Sequence, residues 1–587
     1  MSGVLERVNS PWDLKKLRTN ELYSLADEMR ENIIKKVNTT GGHFGPNLGV
    51  VELTIALHYV FNSPVDKIVF DVSHQCYPHK MITGRKEGFI NPDNYLKYTG
   101  YTAPEESEHD FFKVGHTSTS VSLATGLAKG RDLNGGHENI IAVIGDGSLT
   151  GGEALEGLNN AAVMDTNMII VVNDNDMSIA ENQGGIARHL TVLRETNGEV
   201  ENNFFKALGF DYYYVDDGHD ISKLIETFLT VKDTDHPVLV HVFTTKGKGF
   251  EPAVTNKEPF HWILPGELDR WNNPSVPVEN YDSITKNYLL KKVEEGSPVV
   301  AINAATPGVF GFNAEFRNKM GEHYVDVGIA EQQAVAMASG IAKRGGKPVL
   351  AFMSSFVQRT YDQLSQDLAL NNSPATLLIY WGGISSADAT HLCTFDIPLI
   401  MNIPNIVYLA PTCMEEYAKM LDWSYNQNEH SVAIRVPSSV RYSGQEDTTD
   451  YSVLNKYEVT QRGKDVAIIA LGSFYELGEQ VRAKLNEKGI DATSINPKFI
   501  TGIDSELLEN LKAEHKIVIT LEDGELDGGF GEKISRYYGS SDMKVLNYGS
   551  LKEFTDRTPI SELYQRYHLT PELIAEDIEN VRKVMRN

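Results

Sequence analysis

The chain has 587 residues, 41% hydrophobic and 23% charged, the balance of a folded protein of several domains and not of a disordered chain. Lys and Arg number 54 against 80 Asp and Glu, and the net charge of −26 argues against non-specific binding to nucleic acid or anionic membrane. No apolar run reaches the ~18 residues of a membrane span, and the three distant cysteines, Cys76, Cys393 and Cys413, support neither a disulfide framework nor a cysteine zinc site.

The N-terminal stretch MSGVLERVNSPWDLKKLRTNEL mixes charged and apolar residues at helical spacing and lacks the apolar core of a signal peptide. With so few cysteines, a reducing, cytoplasmic setting is expected. IIAVIGDG (140–147) reads as a buried strand ending in a tight turn, and NMIIVVNDND (167–176) and PVLVHVFTTKGKG (237–249) repeat that form. GGEALEGLNNAAVM lies between the first two with apolar residues at helical spacing. Strand, helix, strand in that order predicts a parallel sheet of βαβ units. A polar, Pro-containing stretch (264–283) reads as a linker. KPVLAFMSSF, PATLLIYWGG and NIVYLAP are strand candidates of a second α/β segment, with a helix over 331–343. A polar stretch at 443–452 separates a third, in which DVAIIALGS, a helix over 475–488, DATSIN and KIVITLEDG alternate strand and helix. The expectation is an α/β protein of three domains, 1–290, 291–445 and 455–587, each a mainly parallel sheet flanked by helices.

The most informative segment is I-G-D-G-S-L-T-G-G-E, Ile144 to Glu153. Asp146 falls at the carboxyl end of a predicted parallel strand, where α/β sheets bind ligands. One βαβ unit later the next strand ends in Asn173-Asp174-Asn175-Asp176. Asp146 and Asn175 can therefore be offered from adjacent strand ends. A carboxylate, an amide oxygen and a backbone carbonyl make a hard, oxygen-rich site suited to magnesium that also holds phosphate oxygens. A lone G-D-G is as readily a turn. G-D-G-x-x-x-x-G followed by N-D-N at the end of the next strand is the thiamine diphosphate signature.

Further motifs fall in order around it: G-G-H-F-G-P-N-L-G-V-V-E-L-T (41–54), F-D-V-S-H-Q-C-Y-P-H-K (70–80), G-H-T-S-T-S (115–120), D-G-H-D (217–220), K-G-K-G-F-E-P (246–252), F-H-W (260–262), D-V-G-I-A-E-Q (326–332), S-F-V-Q-R-T-Y-D-Q (355–363) and A-D-A-T-H (387–391). In these the chain resembles, over nearly its whole length, the 1-deoxy-D-xylulose-5-phosphate synthase family of transketolase-like enzymes. The resemblance implies thiamine diphosphate and Mg2+ as cofactors, and pyruvate and an aldehyde such as glyceraldehyde 3-phosphate as substrates. It further implies a homodimer with the site between the first two domains of one subunit, and a third domain without catalytic residues. By it, Asp146, Asn175 and the Met177 carbonyl are metal ligands. His74, His116, Gly145, Gly147, Ser148, Phe250 and Phe356 bind the cofactor, with Phe356 stacked on its pyrimidine ring. Glu331 shares a proton with that ring, His43, His261 and His391 move protons on the substrate, and Asp388 lies beside the reactive end. The histidines suit that work through an ordinary pKa of about 6.5. His219 of D-G-H-D is read as a turn residue and left outside the site.

The acceptor half departs from the family. Trp381 and Ser438 stand where the family has the two arginines that clamp the acceptor's phosphate, and neither supplies a guanidinium fork. Met353 stands for a family Tyr and Gln333 for a His, the Ala389-Thr390-His391 turn is one residue shorter, and the segment after Asn182 is shortened. Two expectations follow. Other basic residues, Arg359, Arg435 or Arg441, hold the phosphate of glyceraldehyde 3-phosphate, or the same donor chemistry serves a different acceptor. A catalytically silent homologue is disfavoured by the complete Glu331, Asp146, Asn175 and His391 set, and a transketolase proper by the order of the motifs.

Overall fold

The computed structural model describes residues 3–271 and 279–586. Residues 272–278 of the expected linker lie outside the described residues, while Glu267–Arg270 within it forms a helical turn.

The first unit is built on a five-stranded sheet. Its strands are β1 (Lys67–Phe70), β2 (Ile140–Gly145), β3 (Met168–Asp174), β4 (Asp211–Val215) and β5 (Pro237–Phe243), in the order β1-β2-β3-β5-β4, and all pairs are parallel. The central strands read as unbroken apolar runs because both sheet faces are covered. Ile141, Val143, Ile169 and Val171 enter one core, and their alternates Ile140, Ala142, Ile144, Ile170 and Val172 enter another. The helix Gly152–Ala161 connects β2 to β3 and puts the ends of those strands side by side, with Gly145 opposite Asn173. A two-residue antiparallel ribbon pairs Gly42–His43 with Trp262–Ile263. Gly328–Ala330 also belongs to this unit, where the Ile329 N–H donates to Thr150 Oγ1 at 2.9 Å.

The second unit contains two sheets. One, in the order β10-β11-β9-β8-β6-β7, is wholly parallel and comprises β6 (Val299–Asn303), β7 (Tyr324–Asp326), β8 (Lys347–Met353), β9 (Ala375–Tyr380), β10 (Ile406–Leu409) and β11 (Ser431–Val436). The other has β12 (Glu458–Gln461), β13 (Asp465–Ala470), β14 (Ala492–Asn496), β15 (His515–Glu525) and β16 (Lys544–Ser550) in the order β12-β14-β13-β15-β16, and only β12 runs antiparallel to its neighbour.

The structure differs from the expected domain limits at one place. Position 290 falls inside the helix Tyr281–Glu294, which belongs to the second unit. The polar stretch 443–452, which lies between the two sheets in sequence, is tied down: Tyr451 is buried and donates to Asp447 at 2.6 Å, and Lys498 pairs with Asp447 at 3.2 Å. The two sheets of the second unit form one compact body because they share a core, in which Leu350, Phe352 and Ile379 of one pack in the same cluster as Ala467, Ile469 and Val518 of the other. Among the described residues no helix is long and apolar enough to cross a membrane.

Candidate active site

Asp146 sits where β2 ends, level with the end of β3, its own N–H bonded to the Asn173 carbonyl at 3.2 Å. Its carboxylate accepts from the backbone N–H groups of Gly147 (2.9 Å), Asn175 (3.2 Å) and Met177 (3.1 Å) and from the Asn182 side-chain amide (2.7 Å). Burial and the nearby Asp174 carboxylate push the Asp146 pKa up. Asp174 itself stays ionised: although burial opposes it, hydrogen bonds and charge from His241 (2.8 Å) and Arg194 (2.7 Å) hold its pKa below the ordinary value. Residue 147 must be glycine, since a Cβ there would meet the Ser178 side chain at 2.8 Å. A Cβ at Gly145 would meet nothing within 4 Å.

Those residues fit a hard cation and its phosphate. Asn175 is buried and its Oδ1 has no hydrogen-bond partner, so the residue whose N–H bonds to the Asp146 carboxylate also carries an unsatisfied amide oxygen, and a cation would keep that carboxylate ionised. Among the described residues no three His, Cys, Asp or Glu side chains group into a metal site, so a cation here would depend on amide and backbone oxygens as well. The observed contact of Met177 to Asp146 is through its N–H, not its carbonyl.

The second and third motifs are joined by Asp71, which lies just past the end of β1 and accepts from the backbone N–H groups of Ser118 (2.8 Å) and Ser120 (2.9 Å). Ser118 Oγ donates to the Ser148 carbonyl at 2.8 Å. One cross-link therefore aligns the G-H-T-S-T-S turn, with half-buried His116, and the G-D-G-S turn. The backbone is strained at the same place. Val72 (φ 58°), Ser73 (φ 61°) and Ser118 (φ 76°) hold left-handed conformations, least natural for a β-branched residue.

Three of the predicted histidines come together in this unit. The ribbon register sets His43 opposite Trp262, next to His261. Ring centroids lie 4.8 Å apart for His43 and His74, 5.5 Å for His43 and His261, and 5.5 Å for His74 and His261. The buried Asn47 amide donates to the carbonyls of His43 (3.0 Å) and His74 (2.7 Å), holding the two segments at a fixed spacing. Buried Lys246 places Nζ 3.2 Å from His261 Nδ1, and its other contact is the Ser178 carbonyl. Burial pushes the Lys246 pKa down to about 7. Burial first, then Lys246, His43 and His74, hold His261 well below the ordinary histidine value. The expected neutral-range titration therefore does not apply to His261, which is uncharged at pH 7. Phe250 does not join the strand-end group: its ring packs on Phe44 (5.2 Å) and Phe260 (5.7 Å) in an aromatic cluster. His219 has the local turn bond expected, its N–H donating to Asp217 at 2.9 Å, but its ring is a long-range cross-link between Glu52 (3.0 Å) and the Thr245 N–H (2.8 Å).

In the second unit Glu331 opens the helix Glu331–Lys343 and is buried. Burial raises its pKa, and Arg359, 3.9 Å from the carboxylate, opposes that only in part. Phe356 lies in the helical turn after β8, half-buried, its ring 5.9 Å from His391. Asp388 accepts from the Thr390 N–H at 2.9 Å and from the Thr390 hydroxyl, which is also 2.8 Å from His391 Nδ1. Burial opposes ionisation of Asp388, but the bonds from His391 and Thr390 outweigh it and lower its pKa. Asp388, Thr390, His391 and Phe356 thus form one group.

The acceptor-side residues scatter. Trp381 is 48% exposed, with φ 61°, at the end of β9. Ser438 and Gln333 are exposed, and Met353 is buried in the core. Arg435 is not available for a substrate phosphate. It is buried on β11, with Nε 2.7 Å from Asp396 and Nη1 against Asp523 of β15, because two sheets that share a core must neutralise the charges between them. Arg441 lies over the Tyr475 ring at 5.2 Å.

The family assignment comes from comparison. A family model described as 1-deoxy-D-xylulose-5-phosphate synthase matches residues 5–200 and 196–244. Models of the transketolase pyrimidine-binding domain and C-terminal domain match 280–440 and 455–574. A 1-deoxy-D-xylulose-5-phosphate synthase of Halothermothrix orenii is 39% identical over 619 aligned residues, covering 98% of this chain and 97% of that protein. The chain belongs to the 1-deoxy-D-xylulose-5-phosphate synthase family. Synthases of Symbiobacterium thermophilum (39% identical, 99% of this chain, 96% of that protein) and Clostridium botulinum (38%, 98% and 99%) align as fully. As a member of that synthase family the protein is a thiamine diphosphate-dependent transferase with a transketolase-like α/β fold.

Sequence reasoning missed Lys246, Asn47, Asp71 and Asn182. Lys246 and Asp71 lay inside quoted motifs, and their roles depend on partners 15 and 47 residues away.

Proposed function

We propose that the protein decarboxylates pyruvate and joins the two-carbon unit to D-glyceraldehyde 3-phosphate, giving 1-deoxy-D-xylulose 5-phosphate and CO2 for isoprenoid precursors and the thiamine and pyridoxal routes. The observation that carries the reading is the buried, unpartnered Oδ1 of Asn175, a residue whose N–H bonds to the Asp146 carboxylate, the donor types a metal–diphosphate group needs. Asp146, Asn175 and the Met177 carbonyl would hold Mg2+, with Ser148 and His116 toward the diphosphate. Bound thiamine diphosphate supplies a carbon nucleophile and an electron sink for decarboxylation.

The chain's own groups then divide the work. Glu331, its pKa raised by burial, holds its proton more tightly than an ordinary carboxyl and can share it with a ring nitrogen. Uncharged His261 accepts a hydrogen bond, and Lys246 beside it, its pKa lowered by burial to about 7, is only partly charged at neutral pH and gains charge when a carboxylate or phosphate comes near. His391, linked through Thr390 to Asp388, is fixed for proton transfer to a substrate oxygen. The resemblance also supports a homodimer in the cytoplasm, and ultracentrifugation tests the former.

A second reading, in which the acceptor is not glyceraldehyde 3-phosphate, is favoured by one observation: Arg435 is committed to Asp396 and Asp523. Trp381 and Ser438 supply no replacement. Steady-state assay of pyruvate decarboxylation with phosphorylated and unphosphorylated aldehydes separates the two. A kcat/KM for glyceraldehyde 3-phosphate above ~10⁴ M⁻¹s⁻¹, with other acceptors far poorer, establishes the first reading and removes the second.

A further inference from the structure

Asp146 is held asymmetrically. Its Oδ2 takes three N–H donors, from Asn175 (3.2 Å), Met177 (3.1 Å) and the Asn182 side chain (2.7 Å), while Oδ1 takes only the Gly147 N–H at 2.9 Å. A carboxylate oxygen offers about two lone-pair directions. Oδ2 is therefore saturated, and Oδ1 keeps a direction for a cation. Of the three donors on Oδ2 two are backbone, placed by the course of the chain, and Asn182 is the shortest and the sole side chain. The Asn182 Oδ1 is buried and without a hydrogen-bond partner, as is the Asn175 Oδ1.

Asn182 also leads into the twelve-residue helix Gly184–Glu195. Near the far end of that helix, Arg194 donates to both oxygens of Asp174 (2.9 and 2.7 Å) and to Asp176 (2.6 Å), with its guanidinium 5.5 Å over the Phe243 ring. One helix is thus tied at its start to the end of β2 and at its finish to the end of β3, the two strand ends that carry the candidate ligands.

We propose that Asn182 is a positioning residue for the divalent metal: its amide orients the Asp146 carboxylate toward the cation, and the helix behind it braces the two ligand-bearing strand ends. The inference rests on the metal reading given under Proposed function. Partners of metal ligands typically contribute ~10–100-fold to metal affinity.

The test is calorimetric titration of Mg2+ and of Mn2+ into the full-length protein in the presence of thiamine diphosphate, with thermal unfolding measured in parallel without metal. Asn182→Ala is expected to weaken metal binding by ~10–100-fold while the metal-free unfolding midpoint stays close to wild type. Asn182→Leu keeps the side-chain volume, removes the donor and is expected to lose metal in the same way, so it serves should the alanine variant not fold. Exposed Glu181→Ala is the control and should bind metal normally. Wild-type metal affinity in either folded Asn182 variant overturns the inference. Wild-type protein that binds neither metal with the cofactor present overturns the underlying metal reading instead.

Discussion

The strand ends of the first unit and the acceptor loops of the second are built in different ways. Around Asp146 several polar groups are each held by more than one bond, many to backbone: four N–H groups on one carboxylate, Asp71 across two motifs, Asn47 across two histidine segments, with the Asn175 and Asn182 side-chain oxygens left open. Around Trp381 and Ser438 the side chains are exposed, on the ends of strands. The first arrangement tolerates little change, because each residue satisfies buried partners that would otherwise be orphaned. The second tolerates change freely, since replacing an exposed side chain leaves nothing buried unpaired. Substitutions can therefore accumulate at the second place while the first stays as it is.

The largest expected effect falls on the constrained side. Asp146→Ala should abolish joint binding of thiamine diphosphate and Mg2+, because it leaves diphosphate charge uncompensated; calorimetry showing near-wild-type binding would erase the contrast. Glu331→Ala should leave cofactor binding nearly intact and lower kcat by ~10²–10⁴-fold, the usual contribution of a positioned acid–base group. Exchange of the thiazolium C2 proton checks the assignment, and fast exchange in the variant refutes it. Glu331 also gives a pH signature. Its folded-state pKa is raised, so the folded protein binds more protons than the unfolded chain, and stability falls as pH rises through the raised value. Glu331→Gln should remove that loss in urea unfolding curves.

Arg435→Met probes whether the second unit's arginine is structural. Removing it strands Asp396 and Asp523, and breaking a buried pair costs about 3–5 kcal/mol in denaturant unfolding. A KM for a phosphorylated acceptor that rises without loss of stability would instead return Arg435 to the substrate. The smallest expected change is a gain. Trp381→Arg should improve kcat/KM for phosphorylated over unphosphorylated aldehydes by about ten- to a hundredfold, the worth of one charged hydrogen bond. No change in that ratio would mean that the Trp381 position faces no phosphate.

Much of the architecture was legible without coordinates. The apolar runs at 140–145, 168–174 and 237–243 are strands of one parallel sheet, and the helix expected over 331–343 spans those residues. Strands with weaker patterns, such as Asp211–Val215 and Lys544–Ser550, went unread, because their partly exposed faces dilute the apolar signal that marks a central strand.

What the sequence determined by itself is what short-range chemistry decides: strand and helix periodicity, and the identity of the groups placed at strand ends by G-D-G and N-D-N. Only the tertiary structure decided how those groups are charged and spoken for. Lys246 and His261 are fifteen residues apart, and their shared burial leaves the histidine uncharged. Arg435 reads as a free cation in sequence and is consumed by Asp396 and Asp523, 39 and 88 residues away. Desolvation and pairing depend on which distant segments close over a side chain, and that is settled only when the sheets pack.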